Sequence, residues 1–523
     1  MAFYSNPPCD VGVLESGEFA KACTPATGKW VLAATILGSS LAFIDGTAVS
    51  VALPVMQKDL GASVTQMQWV VEAYALLLAA LLLVGGAMGD RIGRKRVFGF
   101  GIALFALASV WGGLAPSAGQ LIIARALQGV GGAMMVPASL AIISASFSDD
   151  DRGRAIGTWS GFTAITAAVG PVLGGWLVTN LSWRWVFFIN VPIAIVVLVI
   201  LTMKVEESRN EAAQGPIDWL GAALSTLGLT GLVYGLVESG NLGFSHPGVI
   251  ASLAVGVVGL VAFVWLESRL AEPMMSLKVF KSKSFSGANA LTFLLYGALG
   301  GSLFFLPFNL IQVQGYSATA AGAAWLPFII IIAVLSRWAG ALIQKFGAKL
   351  PLVVGPAISA AGFALFMVPG IGGSYWTTFF PAILVLGLGM AISVAPLVTV
   401  VMGSVEQENA GLASGVNNAI SRTASLLALA VFGVALLAIF NTSLDNRLDA
   451  INVPPSVELA LEEQRENLAG AELPSGIDPT LARSLERAID EAFVESFRWV
   501  MLIGALLALT ASIVAMFSIE NPR

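Results

Sequence analysis

The chain has 523 residues, of which 57% are hydrophobic and 11% charged, with a net charge of −5 and a mean hydropathy of +0.83. A soluble globular chain carries about 25% charged and 45–50% apolar residues, and one this apolar would expose large greasy patches and aggregate. The composition excludes soluble enzymes, disordered scaffolds and nucleic-acid binders, and describes a polytopic membrane protein whose solvent is the lipid bilayer.

Each spanning helix needs about 20 apolar residues, so fourteen would use about 280, close to the hydrophobic total. Residues 1–29 read as a polar tail holding both cysteines, Cys9 and Cys23, which leaves no disulfide framework and no CxxC metal pattern. No secretory signal peptide is expected there, since the first long apolar run is a full span. Apolar runs follow at about 30–54, 68–89, 97–115, 120–146, 153–179, 184–203, 217–238 and 248–266, then at about 285–312, 319–344, 350–371, 375–403, 411–440 and 493–517. With the amino terminus inside, Lys and Arg crowd the inward segments. Only Lys58, Arg184, Arg447, Arg465, Arg483 and Arg487 lie outward, four of them in one long loop. The positive-inside rule then puts both termini in the cytoplasm.

An internal repeat accompanies the spans. Gly86-Ala87-Met88-Gly89-Asp90-Arg91-Ile92-Gly93-Arg94-Lys95 ends the second run, and Gly340-Ala341-Leu342-Ile343-Gln344-Lys345-Phe346-Gly347-Ala348-Lys349 ends the tenth, 254 positions later. Paired halves with a substrate path between them are a transporter architecture. The expected layout is a six-helix half at 30–203, an insertion of two helices with flanking loops at 204–284, and a second six-helix half at 285–517, followed by a tail at 518–523. Segment 441–492, outside and rich in acids, reads as a solvated hairpin, with a lid or a collector of cations as the functional alternative. Within it Ser456–Asn467 reads as helical, and Asp478-Pro479 as a helix start.

Charges inside a membrane are expensive and point to function. Asp45 lies about nine residues, roughly 13 Å, from the outer end of the first span, and Glu72 about one turn inside the second. By elimination they are the candidate proton carriers. Arg125, in the fourth span at a depth similar to Glu72, would complete a proton switch; the alternative is a static ion triad. In the second half Arg337 and Arg422 are intramembrane cations. Asn417 and Asn418 lie one turn below Arg422, which either bonds helix carbonyls and water or receives an anionic substrate group. Trp159, Tyr234, Tyr296, Phe304, Phe305 and Trp325 are candidates for stacking lipophilic substrates. Gly170 and Gly174 share one helix face and Pro171 bends the span, which favours close helix approach. The one histidine, His246, excludes zinc-protease motifs, and no phosphate-binding loop is present. No cofactor is expected, the proton gradient being the most economical engine.

Several motifs together resemble the major facilitator superfamily, and within it the fourteen-helix drug:proton antiporters. Phe43-Ile44-Asp45-Gly46-Thr47-Ala48-Val49-Ser50-Val51-Ala52-Leu53-Pro54 resembles that family's first-helix motif, with Ser50 where asparagine is usual. Gly86 to Arg96 is similar to the loop motif, Arg125 with Gln128-Gly129 to the fourth-helix motif, and Gly170-Pro171-Val172-Leu173-Gly174-Gly175 to the antiporter motif, with Thr166 replacing an upstream glycine. The resemblance implies an all-α fold of 14 transmembrane helices in a 6+2+6 arrangement. It also implies that Gly86, Asp90, Arg91, Gly93 and Arg94 form a latch across the halves, with Gln344 at the equivalent place of Asp90. Asp45 and Arg125 would form the proton-responsive centre. Glu72 stands where some relatives carry an acid that meets cationic drugs. Gly170, Pro171, Gly174 and Gly175 would seal the fifth helix against the second half. The implied activity is proton-coupled export of lipophilic or amphiphilic compounds across the plasma (bacterial inner) membrane by a monomer, accessory export partners being an open addition. Export of one endogenous, anionic metabolite, and a non-transporting receptor of transporter fold, are the competing readings. No enzyme activity is expected.

Overall fold

A long apolar stretch in a bilayer finds no water for its backbone N–H and C=O groups, so it folds as a helix that satisfies them internally. The computed structural model describes residues 25–209, 218–270, 273, 277–405, 410–451, 453–462, 464–474 and 476–520; side chains at 25–27, 149–150, 153, 164, 336–344 and 410–412 stand outside the description. The described residues contain helices and no strand. Thirteen of the helices are long and apolar enough to cross a membrane, and a shorter apolar helix, Lys349–Leu365, completes the expected fourteen.

In chain order they are α1 (Pro25–Leu60), α2 (Val64–Ile92), α3 (Arg94–Leu114), α4 (Ala118–Ser146), α5 (Asp149–Asn180) and α6 (Asn190–Lys204). Then come α7 (Trp219–Leu242) and α8 (Pro247–Glu267), and after them α9 (Lys283–Leu303), α10 (Leu326–Phe346), α11 (Lys349–Leu365), α12 (Phe379–Gly403), α13 (Ala410–Leu448) and α14 (Pro479–Ser518). The chain divides into two compact units. The first gathers the described residues up to Val49 and of Val70–Thr226, with the described part of Arg269–Met274. The second gathers Ser50–Trp69, Leu227–Ser268 and the described residues from Met275 on. The amino-terminal tail with Cys9 and Cys23 lies outside the described residues. In the first unit a core of Phe98, Ile102, Phe105, Ala133, Met135 and Val197, among others, packs α3 against α4 and α6.

Two boundaries differ from those the sequence predicts. The ninth span is not one helix: α9 stops at Leu303, and the chain continues through the turn Leu306–Phe308 and a π turn, Asn309–Val313. Pro307 accounts for the break, because its ring clashes with the carbonyl four residues earlier, at Leu303. The segment 441–492 is not a loose hairpin either. α13 runs on to Leu448, and α14 begins at Pro479, where the Asp478 carboxylate accepts the N–H of Thr480 (2.8 Å) and Leu481 (3.2 Å). Those N–H groups, Thr480 first, hold the Asp478 carboxyl below its usual range. The two extensions are cross-linked: Arg447 pairs with Glu491 and with Glu495 (3.2 Å), and Ser443 donates to Glu495 at 2.6 Å. These partly exposed charges also tie the two helices together.

Between the extensions the chain forms a short helix, Pro455–Glu462, and a 3-10 turn, Arg465–Gly470. This turn lies on other parts of its own unit: Gln57 donates to the Asn467 carbonyl at 3.3 Å, and Gln312 donates to Gln57 at 2.8 Å. Leu468 sits here at φ 54°, a conformation that favours glycine, with its side chain only 1% exposed. Such a backbone costs on the order of 1–3 kcal/mol. Burying the leucine side chain returns about 1.5–3 kcal/mol. Leu468→Ala keeps the strain and loses the burial, whereas Leu468→Gly loses the burial and releases the strain. The glycine variant is therefore expected to unfold at or above the temperature of the alanine variant, both below the parent, in thermal unfolding of the detergent-purified protein. This inverts the order found at helix positions.

Candidate functional site: a buried ion-pair centre in the first unit

Asp45 and Arg125 meet in the interior of the first unit, with side chains 0% and 1% exposed. An Arg125 Nη1–H donates to Asp45 Oδ2 and to Gln128 Oε1 (2.9 Å), and its Nε–H donates to the Val70 carbonyl at 3.0 Å. Asp45 Oδ1 accepts from Gln128 Nε2 (3.1 Å) and from Asn190 Nδ2 (3.0 Å). Ser109 lies behind both amides. Its Oγ accepts from Gln128 at 2.8 Å and from Asn190 at 3.3 Å, and donates to the Phe105 carbonyl at 2.8 Å. The Tyr74 ring lies 4.4 Å from the guanidinium carbon. Five helices contribute: α1 the acid, α4 the arginine and Gln128, α3 the hydroxyl, α6 the second amide, and α2 a carbonyl and a ring.

Helix periodicity explains the arrangement on α4, where Arg125 and Gln128 are three residues apart and share a face. Breaking such a pair by removing one partner leaves an uncompensated buried charge, at a cost of about 3–5 kcal/mol. Glu72, expected to join a triad, does not. It is fully buried on α2, and neither carboxylate oxygen has a hydrogen-bond partner among the described residues. Arg125 Nε–H and Nη1–H are directed to the Val70 carbonyl, Asp45 and Gln128, and depth along the helices leaves open whether Glu72 meets them. Asn190 and Ser109 were not singled out from the sequence. An asparagine opening the apolar run Asn190–Lys204 was the available signal, and Ser109 gave none.

The loop after α2 is built by a different device. Asp90 accepts from Arg94 Nε (3.0 Å) and Nη2 (2.8 Å), a pair four residues apart. Arg91 is half-buried, and a Cβ on Gly86 would lie 3.7 Å from the Pro137 Cβ, an ordinary contact. Gly93 has φ 124°, and a Cβ there would fall 2.6 Å from the carboxyl carbon of Glu207. Glu207, beyond α6, accepts the N–H groups of Lys95 (2.9 Å) and Arg96 (3.1 Å), and Arg94 N–H donates to the Ser208 carbonyl at 2.8 Å. The carboxylate thus caps the orphan donors at the start of α3, where the helix dipole also favours negative charge.

The glycines of α5 face α1. A Cβ on Gly170 would sit 1.9 Å from Thr47 Oγ1, and one on Gly174 would sit 2.7 Å from the Ala48 Cβ. What Gly170 and Gly174 permit is the approach of α5 to the helix that carries Asp45. Pro171 and Gly175 are buried beside them. Trp159 is 8% exposed, with its indole N–H on Ser39 Oγ at 3.1 Å, so it is held in a packed position.

In the second unit Asn417 donates to Asn289 (3.0 Å) and Thr292 (2.7 Å), tying α13 to α9, so its amide hydrogens are engaged in structure. Asn418 is exposed and donates to the Ser414 carbonyl at 3.0 Å. Arg422 is half-buried one turn further on. Arg337 lies on α10, but its side chain, like that of Gln344, is outside the described residues. Tyr234 packs against Trp69 at 6.0 Å between ring centroids, and Phe304 against Phe305 at 4.9 Å.

A many-helix membrane bundle with an ion pair closed inside one unit is the architecture of a membrane transporter, and the comparisons agree. The family model of the Major Facilitator Superfamily matches residues 35–430. The chain is 32% identical over 505 residues to the tetracenomycin C resistance and export protein of Streptomyces glaucescens, covering 95% of this chain and 93% of that one. It is 34% identical over 433 residues to multidrug resistance protein Stp of Mycobacterium tuberculosis (82% and 79% covered), and 31% identical over 499 residues to multidrug efflux pump LfrA of Mycolicibacterium smegmatis (94% and 97%). Among solved structures, a bacterial homolog of the human lysosomal transporter Spinster superposes with a TM-score of 0.66 at 17% identity, covering 96% of this chain and 100% of that one. The chain belongs to the Major Facilitator Superfamily, a family of transporters, and is a multi-pass membrane protein.

Gly93→Ala places a methyl group against the Glu207 carboxylate on a backbone that disfavours it. It is expected to detach the α3 cap and lower stability by about 1–3 kcal/mol. Glu207→Ala, which removes the cap alone, should cost about 0.5–2 kcal/mol. Thermal unfolding of both variants checks the order.

Proposed function

We propose that the protein is a proton-coupled antiporter of the plasma membrane that exports lipophilic or amphiphilic compounds, with both termini in the cytoplasm. The observation that carries this reading is the Asp45–Arg125 pair, an acid and a base closed together inside apolar helices. A proton taken up by Asp45 removes the charge that Arg125 pairs with and frees guanidinium donors. That is a two-state element a gradient can drive. Each charge crossing the membrane is worth about 2.3 kcal/mol per 100 mV. The relatives named for multidrug resistance and efflux support a broad substrate range. In this reading the protein acts as a monomer in the lipid bilayer, with no cofactor, and performs no bond chemistry on its cargo.

A second reading has its own support. The relative named for resistance to and export of tetracenomycin C carries a single compound in its name. Arg422, a half-buried cation one turn beyond Asn418, suits an anionic group on such a cargo. A dedicated exporter of one metabolite would leave a deletion strain with unchanged drug sensitivity and a compound accumulating inside.

The main reading is tested with purified protein in proteoliposomes and a lipophilic dye. Export is expected to collapse with a protonophore, and Asp45→Asn to reduce gradient-driven export at least tenfold while dye binding persists. Unchanged gradient-driven export in Asp45→Asn would overturn it.

A further inference from the structure

Of the three uncharged polar side chains clustered at Asp45, two have every polar atom committed among the described residues. The Gln128 carbonyl oxygen is held by Arg125, and the Ser109 hydroxyl accepts two amide hydrogens and donates its own to Phe105. Asn190 is different. Its Nδ2 donates to Asp45 and Ser109, but its Oδ1 is buried with no hydrogen-bond partner among the described residues, and the residue is 0% exposed. A buried orphan acceptor costs about 1–3 kcal/mol and calls for an explanation.

We propose that Asn190 is the positioning residue that lets Asp45 exchange its proton, by turning its amide between donor and acceptor. With Asp45 ionised, Nδ2 faces Asp45 Oδ1 and the amide oxygen is idle. With Asp45 protonated on Oδ1, the two amide N–H groups there would confront an O–H. Gln128 cannot turn without abandoning Arg125. Asn190 can: half a turn about its terminal torsion presents Oδ1 to the new hydroxyl, and Ser109 keeps its hydrogen bond from Gln128. The amide exchanges one idle atom for the other, and both protonation states of Asp45 keep a partner. The proton enters and leaves through Asp45 alone, and no bond of Asn190 is made or broken.

The groups packed around Asp45 leave this task to no other side chain. Arg125 on α4 is a donor only. From α2 comes Tyr74, whose hydroxyl donates to the Ala42 carbonyl at 3.4 Å; Glu72, two residues before it, has no hydrogen bond to this cluster among the described residues. α3 contributes Ser109, and α5 meets α1 through Gly170 and Gly174.

This inference rests on Asp45 carrying the transported proton, and the experiment separates the two. Asn190→Leu keeps the size and removes donor and acceptor; Asn190→Ser restores one of each in a shorter reach. In proteoliposomes the pH at half-maximal gradient-driven dye export should move by about one unit in Asn190→Leu and return toward the parent in Asn190→Ser. Infrared difference spectra taken across that pH range should show a carboxylic-acid C=O band that is absent in Asp45→Asn. In Asn190→Leu the band should move to the frequency of a carbonyl whose hydroxyl lacks an acceptor. Size-exclusion profiles select properly folded protein, and if Asn190→Leu fails that criterion, Asn190→Ser against the parent carries the comparison. An unchanged pH midpoint and an unchanged band would overturn the proposal while leaving Asp45 as carrier. Undiminished gradient-driven export in Asp45→Asn would instead remove the reading beneath it.

Discussion

A charge inside a bilayer has to be neutralised where it stands, and in the first unit that requirement falls on one aspartate and one arginine. Neither side chain reaches water, so each hydrogen-bonding atom needs a protein partner. α4 brings Gln128 three residues from Arg125, α3 brings Ser109, α6 opens on Asn190, and α2 turns the Val70 carbonyl and the Tyr74 ring toward the guanidinium. Five helices each supply a group to the cluster around these two charges. The glycines of α5 belong to the same scheme from behind, since they let that helix press on the backbone of α1 around Thr47 and Ala48.

Where water is available, charge is used in another way. Glu207 and Asp478 sit at helix starts and hold backbone N–H groups that no carbonyl reaches. Arg447 joins the extended ends of α13 and α14 through Glu491 and Glu495. These contacts are partly exposed and individually modest, as surface ion pairs are. Their role is geometric: they fix where a helix begins and which neighbour it keeps. Helix ends in water and a closed pair in the apolar interior of the first unit are two of the uses this chain makes of its few charged residues.

Much of this was legible in the sequence, for physical reasons that also set the limit. Fourteen apolar runs report helices because the bilayer admits little else. Asp45 and Arg125 were conspicuous because charge is rare there, and the structure pairs them. Glu72 was conspicuous for the same reason, yet depth along a helix does not tell which way a side chain points, and it stays outside the cluster. Asn190 and Ser109 escaped because uncharged polar residues are common in membrane helices and carry no such alarm. Glu207 lies more than a hundred positions from the N–H groups it caps, a distance over which sequence pattern gives no warning. In segment 441–492 the acids signalled solvent, but nothing local showed that Glu491 and Glu495 would meet Arg447 from the neighbouring helix.

The two buried carboxylates therefore cannot serve one undifferentiated role. Asp45 is surrounded by donors that fix it in space, and a group so fixed can change its protonation state only if its surroundings change with it. Glu72 has no hydrogen-bond partner among the described residues. If Asp45 were held only by Arg125, a proton would break the pair and leave the helices no second arrangement of equal quality. With an amide beside it that can present either face, the same five helices have a bonded arrangement for each state, and interconversion between two such arrangements is what alternating access requires.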